Sequence, residues 1–75
     1  MVATIWSRPN CIWCDRAKDL LTQKSIPYLE KVVGVGATKE QLLEAVPGAH
    51  TVPQIFMDGV LVGGFQELQE YLRNS

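Results

Sequence analysis

The strongest restriction on how this chain can fold is a pair of strand-like runs separated by one amphipathic helical stretch. Val2-Ala3-Thr4-Ile5-Trp6 is rich in β-branched and aromatic residues and reads as a strand. Asp15 to Lys24 reads as a helix, with Trp13, Ala17, Leu20 and Leu21 at helical spacing and Asp15, Arg16, Lys18 and Asp19 turned outward. Ser25-Ile26-Pro27 ends that helix, and Tyr28 to Val33 reads as a second strand, with Pro27 tolerable at its start. Such a crossover joins its strands in parallel and with a right-handed turn, so the two runs should lie side by side in one sheet.

The remainder extends that sheet. Gly34 and Gly36 form a flexible turn; their G-x-G spacing lacks a third glycine and does not make a phosphate loop. Thr38-Lys39-Glu40-Gln41 fits a capping box, so a helix should begin at Thr38, run through Leu42, Leu43 and Val46, and stop at Pro47-Gly48. Pro53 to Met57 and Val60 to Val62 are apolar runs joined by Asp58-Gly59, a strong hairpin signal. Phe65, Leu68 and Leu72 then recur at helical spacing, with Glu67, Glu70 and Arg73 facing water. The order β-α-β-α-β-β-α implies an α/β sandwich of three layers, a single domain over residues 1–75.

Charge narrows the function classes. A net charge of −1 supplies no basic field for nucleic acid and no cationic face for a membrane. The opening Met-Val-Ala-Thr-Ile is not a signal sequence and no long apolar span follows, so the expectation is a soluble cytoplasmic monomer. Within that setting stand the chain's only cysteines, Cys11-Ile12-Trp13-Cys14, on the corner between the first strand and the first helix. A zinc site normally takes a tetrahedral set of N or S ligands, and only His50 could join them. A disulfide framework needs several bridges, and this pair closes almost no loop. Dithiol redox chemistry is favoured, with metal and structural roles still open.

Three segments resemble the glutaredoxin family. Trp6-Ser7-Arg8-Pro9-Asn10-Cys11-Ile12-Trp13-Cys14 is similar to its active-site segment, Thr51-Val52-Pro53-Gln54-Ile55-Phe56 to its Thr-Val-Pro loop and following strand, and Val62-Gly63-Gly64-Phe65 to its Gly-Gly turn. They fall in order, and the element order covers the whole chain. The resemblance implies a thioredoxin fold, a four-stranded mixed sheet of order 2-1-3-4 flanked by three helices. It also implies a glutathione-dependent reductase of protein disulfides and glutathione mixed disulfides. Glutathione would be the cosubstrate, with no tightly bound cofactor and no metal.

Roles follow residue by residue. Cys11, at the mouth of a helix, should be the attacking thiolate, favoured by free N–H groups and the helix dipole. Cys14, further in and beside Asp15, should be the resolving thiol. Arg8 adds positive charge, and Trp13, where many members carry Tyr or Phe, should form an exposed apolar wall beside glutathione. Pro53 should follow a cis peptide bond that turns the backbone of Val52, next to Thr51, toward Cys11, to pair with glutathione as a short strand. Gly63 and Gly64 allow a turn, after which the N–H groups of Phe65 and Gln66 would hold the γ-glutamyl carboxylate.

The chain departs from the family pattern at Ile12, where dithiol members often have Pro, at Gln66-Glu67, and at Ala49-His50, where a basic residue such as Arg is frequent. His50 reads as a loop residue rather than a general base. Two other functions stay open: a hydrogen-donor redoxin reduced by thioredoxin reductase and serving ribonucleotide reductase, and a carrier of a glutathione-ligated iron–sulfur cluster.

Overall fold

A computed structural model describes residues 1–74. The elements follow as β1 (Ala3–Ser7), α1 (Ile12–Gln23), β2 (Tyr28–Val33), β3 (Gly36–Ala37), α2 (Lys39–Ala45), β4 (Gln54–Met57), β5 (Val60–Gly63) and α3 (Phe65–Arg73). β1 pairs in parallel with β2, from Ala3 opposite Tyr28 to Ser7 opposite Val32, and antiparallel with β4, from Ala3 opposite Met57 to Trp6 opposite Gln54. The sheet order is β3-β2-β1-β4-β5.

This corrects the expected strand count: the sheet has five strands rather than four, although the order of the other four is the expected one. The added β3 pairs only Gly36 and Ala37 with Val32 and Val33. It follows β2 through a tight turn in which Gly34 N–H donates to Ala37 O at 2.8 Å, and Gly34 and Gly36 take φ +94° and +86°. A two-residue strand carries no period of its own, so the glycines read only as a turn.

Strand alternation splits the core between two faces. On one, Ala3 and Ile5 of β1 and Ile55 and Met57 of β4 bury against Ala17 and Leu21 of α1 and Leu68 of α3. Fully burying a side chain the size of leucine stabilises by roughly 1.5–3 kcal/mol, so Ile5, Leu21, Ile55, Met57 and Leu68 each contribute on that order. On the other face, Trp6, Ala37, Leu42 and Val46 join α2 to the sheet.

Local chemistry sets the boundaries. Thr38 Oγ1 accepts from Gln41 N–H at 3.1 Å while Gln41 Oε1 accepts from Thr38 N–H at 2.9 Å, closing the capping box at α2. Asp58 and Gly59 take φ +51° and +84°, the paired positive values that a two-residue hairpin turn requires. Asp58 also ties the end of β4 to β1, donating its N–H to Val2 O at 2.9 Å and accepting Val2 N–H on Oδ1 at 2.8 Å. Among the described residues, no helix is long and apolar enough to cross a membrane.

Candidate active site

The end of β1 delivers the chain to the first cysteine through Arg8-Pro9-Asn10, where Asn10 takes φ +58°, a left-handed conformation that asparagine tolerates. Cys11 then caps α1: its backbone is extended and its Sγ accepts the Cys14 N–H at 3.2 Å. The helix therefore starts at Ile12, so the run read from Asp15 to Lys24 extends back to the cysteine expected at its mouth. A cysteine sulfur does the work usually done by the oxygen of Ser, Thr, Asp or Asn. Cys11 and Cys14 form a disulfide with their Cα atoms 5.2 Å apart. Cys14 is 1% exposed and Cys11 7%, so an incoming nucleophile reaches Cys11 first. An amide N–H aimed at Cys11 Sγ, at the positive end of a helix, stabilises negative charge on that sulfur once the disulfide opens.

β4 brings the second part of the site. The Val52–Pro53 peptide bond is cis, and the Val52 carbonyl oxygen lies 4.0 Å from Cys11 Sγ. Trp13, Thr51, Val52, Pro53, Gly64 and Phe65 line one cleft of about 460 Å³, with Gln66 and Glu67 at its α3 side. Trp13 is 50% exposed; its ring centroid stands 5.6 Å from that of Phe65, and the Arg16 guanidinium carbon lies 4.8 Å from it. α3 opens at this cleft, and its first-turn N–H groups face no partner within the helix. Glu67 Oε1 reaches back to accept the Gly64 N–H at 2.8 Å.

Two sequence candidates stand apart from that cleft. Gly63 does not line it and serves the β5–α3 joint instead, with φ +127°. Arg8 lines a neighbouring cleft of about 340 Å³ together with Val33, Lys39, His50, Thr51 and Val52. Thr51 and Val52 border both spaces, so the two clefts meet beside Cys11. Lys39 was not foreseen as a site residue. It is the first residue of α2, and only the packing of that helix brings it to Arg8. A larger groove of about 670 Å³ lies between α2 and the β2–β3 edge, lined by Trp6, Lys31 and Glu44 among others, and shares no residue with the two clefts beside Val52.

Beneath the site, Ser7 is 1% exposed and its hydroxyl donates to Glu30 Oε2 at 2.7 Å. Lys18, one turn beyond Cys14 on α1, holds the same oxygen at 2.9 Å and Asp15 at 3.5 Å. The Ser7 hydrogen bond, followed by Lys18, holds the Glu30 carboxyl below its ordinary range, and Glu30 in turn raises Lys18. This network links the residue before the active-site loop to the helix carrying Cys14.

Comparison with known proteins agrees with the geometry. The family model described as Glutaredoxin matches residues 3–62. Glutaredoxin 3 of Escherichia coli strain K12 is 36% identical over 64 residues, which cover 85% of this chain and 77% of that protein. The hybrid peroxiredoxin hyPrx5 of Haemophilus influenzae is 38% identical over 68 residues; these are 91% of this chain but only 28% of that longer protein. Among solved structures, a buckwheat glutaredoxin–glutathione complex superposes with a TM-score of 0.82 at 26% identity, covering 96% of this chain and 68% of that one.

Proposed function

The chain belongs to the glutaredoxin family of thiol–disulfide oxidoreductases, and we propose that within it the protein is a glutathione-dependent reductase of protein disulfides and glutathione mixed disulfides, working in a reducing cytoplasm. The observation that carries this reading is the Cys11–Cys14 pair beside the Val52 carbonyl, where two clefts share Thr51 and Val52, one apolar and opening on a helix N-terminus, the other cationic. Glutathione has the complementary shape. Its thiol belongs at Cys11, and its central peptide unit would pair with the Val52 backbone as a short strand. Its γ-glutamyl carboxylate would take the N–H groups of Phe65 and Gln66 at the start of α3, with Trp13 as the wall between. Its glycyl carboxylate would reach Arg8 and Lys39, with His50 and Thr51 on the same cleft.

The electron path follows from the unequal exposure of the two sulfurs. A glutathione thiolate attacks Cys11 Sγ; the Cys11–Cys14 bond breaks, and Cys14 leaves as a thiolate and takes a proton. A second glutathione thiolate attacks the glutathione sulfur on Cys11, releasing glutathione disulfide and the Cys11 thiolate. That thiolate attacks a substrate disulfide, and either Cys14 or glutathione resolves the mixed disulfide. Two electrons pass from two glutathiones to one disulfide.

A coupled assay with glutathione, glutathione reductase and NADPH tests this. Cys11→Ser should abolish turnover; Cys14→Ser should keep reduction of glutathione mixed disulfides and lose reduction of protein disulfides. A folded wild-type protein without turnover would sink the reading. Direct reduction by thioredoxin reductase in the absence of glutathione would favour the hydrogen-donor alternative. Visible absorbance after anaerobic reconstitution with iron, sulfide and glutathione would favour the cluster carrier. A second reading concerns the protein substrate. The match to part of a protein named a hybrid peroxiredoxin supports a peroxiredoxin disulfide as one target, measurable as peroxide-dependent NADPH consumption when a peroxiredoxin is added to the same assay.

A further inference from the structure

We infer that Arg16 selects among disulfide substrates, favouring those that carry a carboxylate side chain two or three residues from the target cysteine. The inference rests on the reductase reading above and concerns a residue outside the glutathione clefts.

Arg16 is exposed on α1, and its guanidinium lies over the Trp13 ring, 4.8 Å from the centroid. Stacking of this kind holds a guanidinium at low entropic cost while leaving its N–H donors at the rim of the plane. Those donors are not consumed within the described residues. The neighbouring acid Asp15 is turned to Lys18 at 3.5 Å, Glu30 is held by Lys18 and Ser7, and Glu67, across the cleft on α3, gives an oxygen to Gly64 N–H. Arg16 is thus a positioned cation with open hydrogen-bonding capacity, in a chain whose net charge is −1. Two exposed apolar side chains, Ile12 at 60% and Trp13 at 50%, lie between Cys11 and Arg16 in the sequence, and the second carries the guanidinium.

Distance sets the register. Arg16 lies five helical steps beyond Cys11, an axial rise of about 7.5 Å. An extended substrate segment covers roughly 3.3 Å per residue, so with the substrate cysteine at Cys11 its carboxylate must come two or three positions away to meet the guanidinium. The apolar stretch over Ile12 and Trp13 would receive the intervening side chain. Arg8 lines the neighbouring cleft with Lys39 and His50, where the reading above gives it to the glycyl carboxylate.

The test uses two synthetic peptides, each oxidised to a symmetric disulfide through its single cysteine, identical except for Asp or Asn three residues from that cysteine. The readout is the ratio of kcat/KM for Asp over Asn in the coupled assay, which cancels any general effect of a substitution on Trp13 or on folding. At low ionic strength the wild type should prefer Asp roughly threefold to fivefold, the upper end of what an exposed ion pair supplies, and lose the preference as salt rises. Arg16→Met should bring the ratio to one, and Arg16→Lys should leave it between. A wild-type ratio of one, or a preference that survives in Arg16→Met and in Arg16→Gln, overturns the inference. No turnover of the Asn peptide by wild type would instead sink the reductase reading, and this inference with it.

Discussion

Gly63→Ala should destabilise the protein well beyond the loss of one glycine, through the joint between β5 and α3. Gly63 has φ +127°, where an L side chain is strained, which costs about 1–2 kcal/mol. A Cβ built there would lie 2.9 Å from Glu67 Cγ, 3.0 Å from Glu67 Cβ and 3.0 Å from Glu67 Oε1. Rotation of Glu67 moves the outer atoms away, but it also breaks the 2.8 Å bond from Gly64 N–H to Oε1, worth about 0.5–1.5 kcal/mol. The Cβ of Glu67 does not move with that rotation, so the first turn of α3 must shift. The sum is about 1.5–3.5 kcal/mol; at about 4–8 °C of melting temperature per kcal/mol for a domain of this size, the melt should fall by at least ~6 °C.

Urea denaturation of the oxidised protein, with circular dichroism as probe, measures the stability change, and Glu67→Ala completes a double-mutant cycle. Once Glu67 is alanine, its outer atoms and its hydrogen bond are already gone. Gly63→Ala should then cost about 1 kcal/mol less than in wild type. Additive effects, or a Gly63→Ala melt within error of wild type, would refute the clash. The shift of α3 also displaces the N–H groups of Phe65 and Gln66, so KM for glutathione should rise in Gly63→Ala although Gly63 lines neither cleft.

Two further tests probe the surroundings of the cysteines. Glu30→Gln should lower stability at neutral pH by about 0.5–1 kcal/mol, a modest value because the carboxylate is partly solvated. Glu30 titrates below its ordinary 4.5 when folded, so its contribution is present above that value and disappears as pH falls through the folded value. Lys18 titrates above 10.5, so its share is present below that value and is lost as pH rises past the folded one. The gap between wild type and Glu30→Gln should accordingly be flat from about pH 6 to 9 and shrink below about pH 4; a gap that widens in acid would contradict the network. Trp13→Ala should raise KM for glutathione roughly fivefold, about 1 kcal/mol for one aromatic wall, while moving the melt by little because Trp13 is half-exposed. An unchanged KM would remove Trp13 from the glutathione cleft.

What could be read in advance was the chemistry that acts over a few residues. Thr38 and Gln41 cap each other across three positions, and Asp58-Gly59 supplies both positive φ values of its turn, so neither needs the rest of the protein. The place of Cys11 at the mouth of α1 was legible, but its sulfur serving as the cap was not, because capping is masked by its redox role. β3 escaped because Gly36 and Ala37 become a strand only by lying beside Val32 and Val33. Lys39 escaped for a related reason. A lysine at the start of a capped helix looks like a solvated charge until Leu42 and the capping Val46 dock on Trp6 and bring it to the cleft that Arg8 lines. The Ser7–Glu30–Lys18 network crosses three elements, and no local pattern marks it.

The juxtaposition of Cys11 with the Val52–Pro53 peptide is itself a consequence of core packing. Residues 11 and 52 are distant in sequence, and no direct interaction between them is strong enough to hold them together. Their meeting follows from the antiparallel register of β1 and β4, which sets Ile5 opposite Ile55 and Ala3 opposite Met57. All four are buried on the face covered by α1 and α3. A slip of one residue would turn Ile55 and Met57 to the opposite face, forfeiting roughly 1.5–3 kcal/mol for each. That penalty locks Trp6 opposite Gln54, and the chain just outside this last pair is the loop to Cys11 on one side and Pro53 and Val52 on the other. The alternation of apolar residues in two short strands therefore places a reactive sulfur against the Val52–Pro53 peptide, and buried residues remote from the cysteines determine where the site lies.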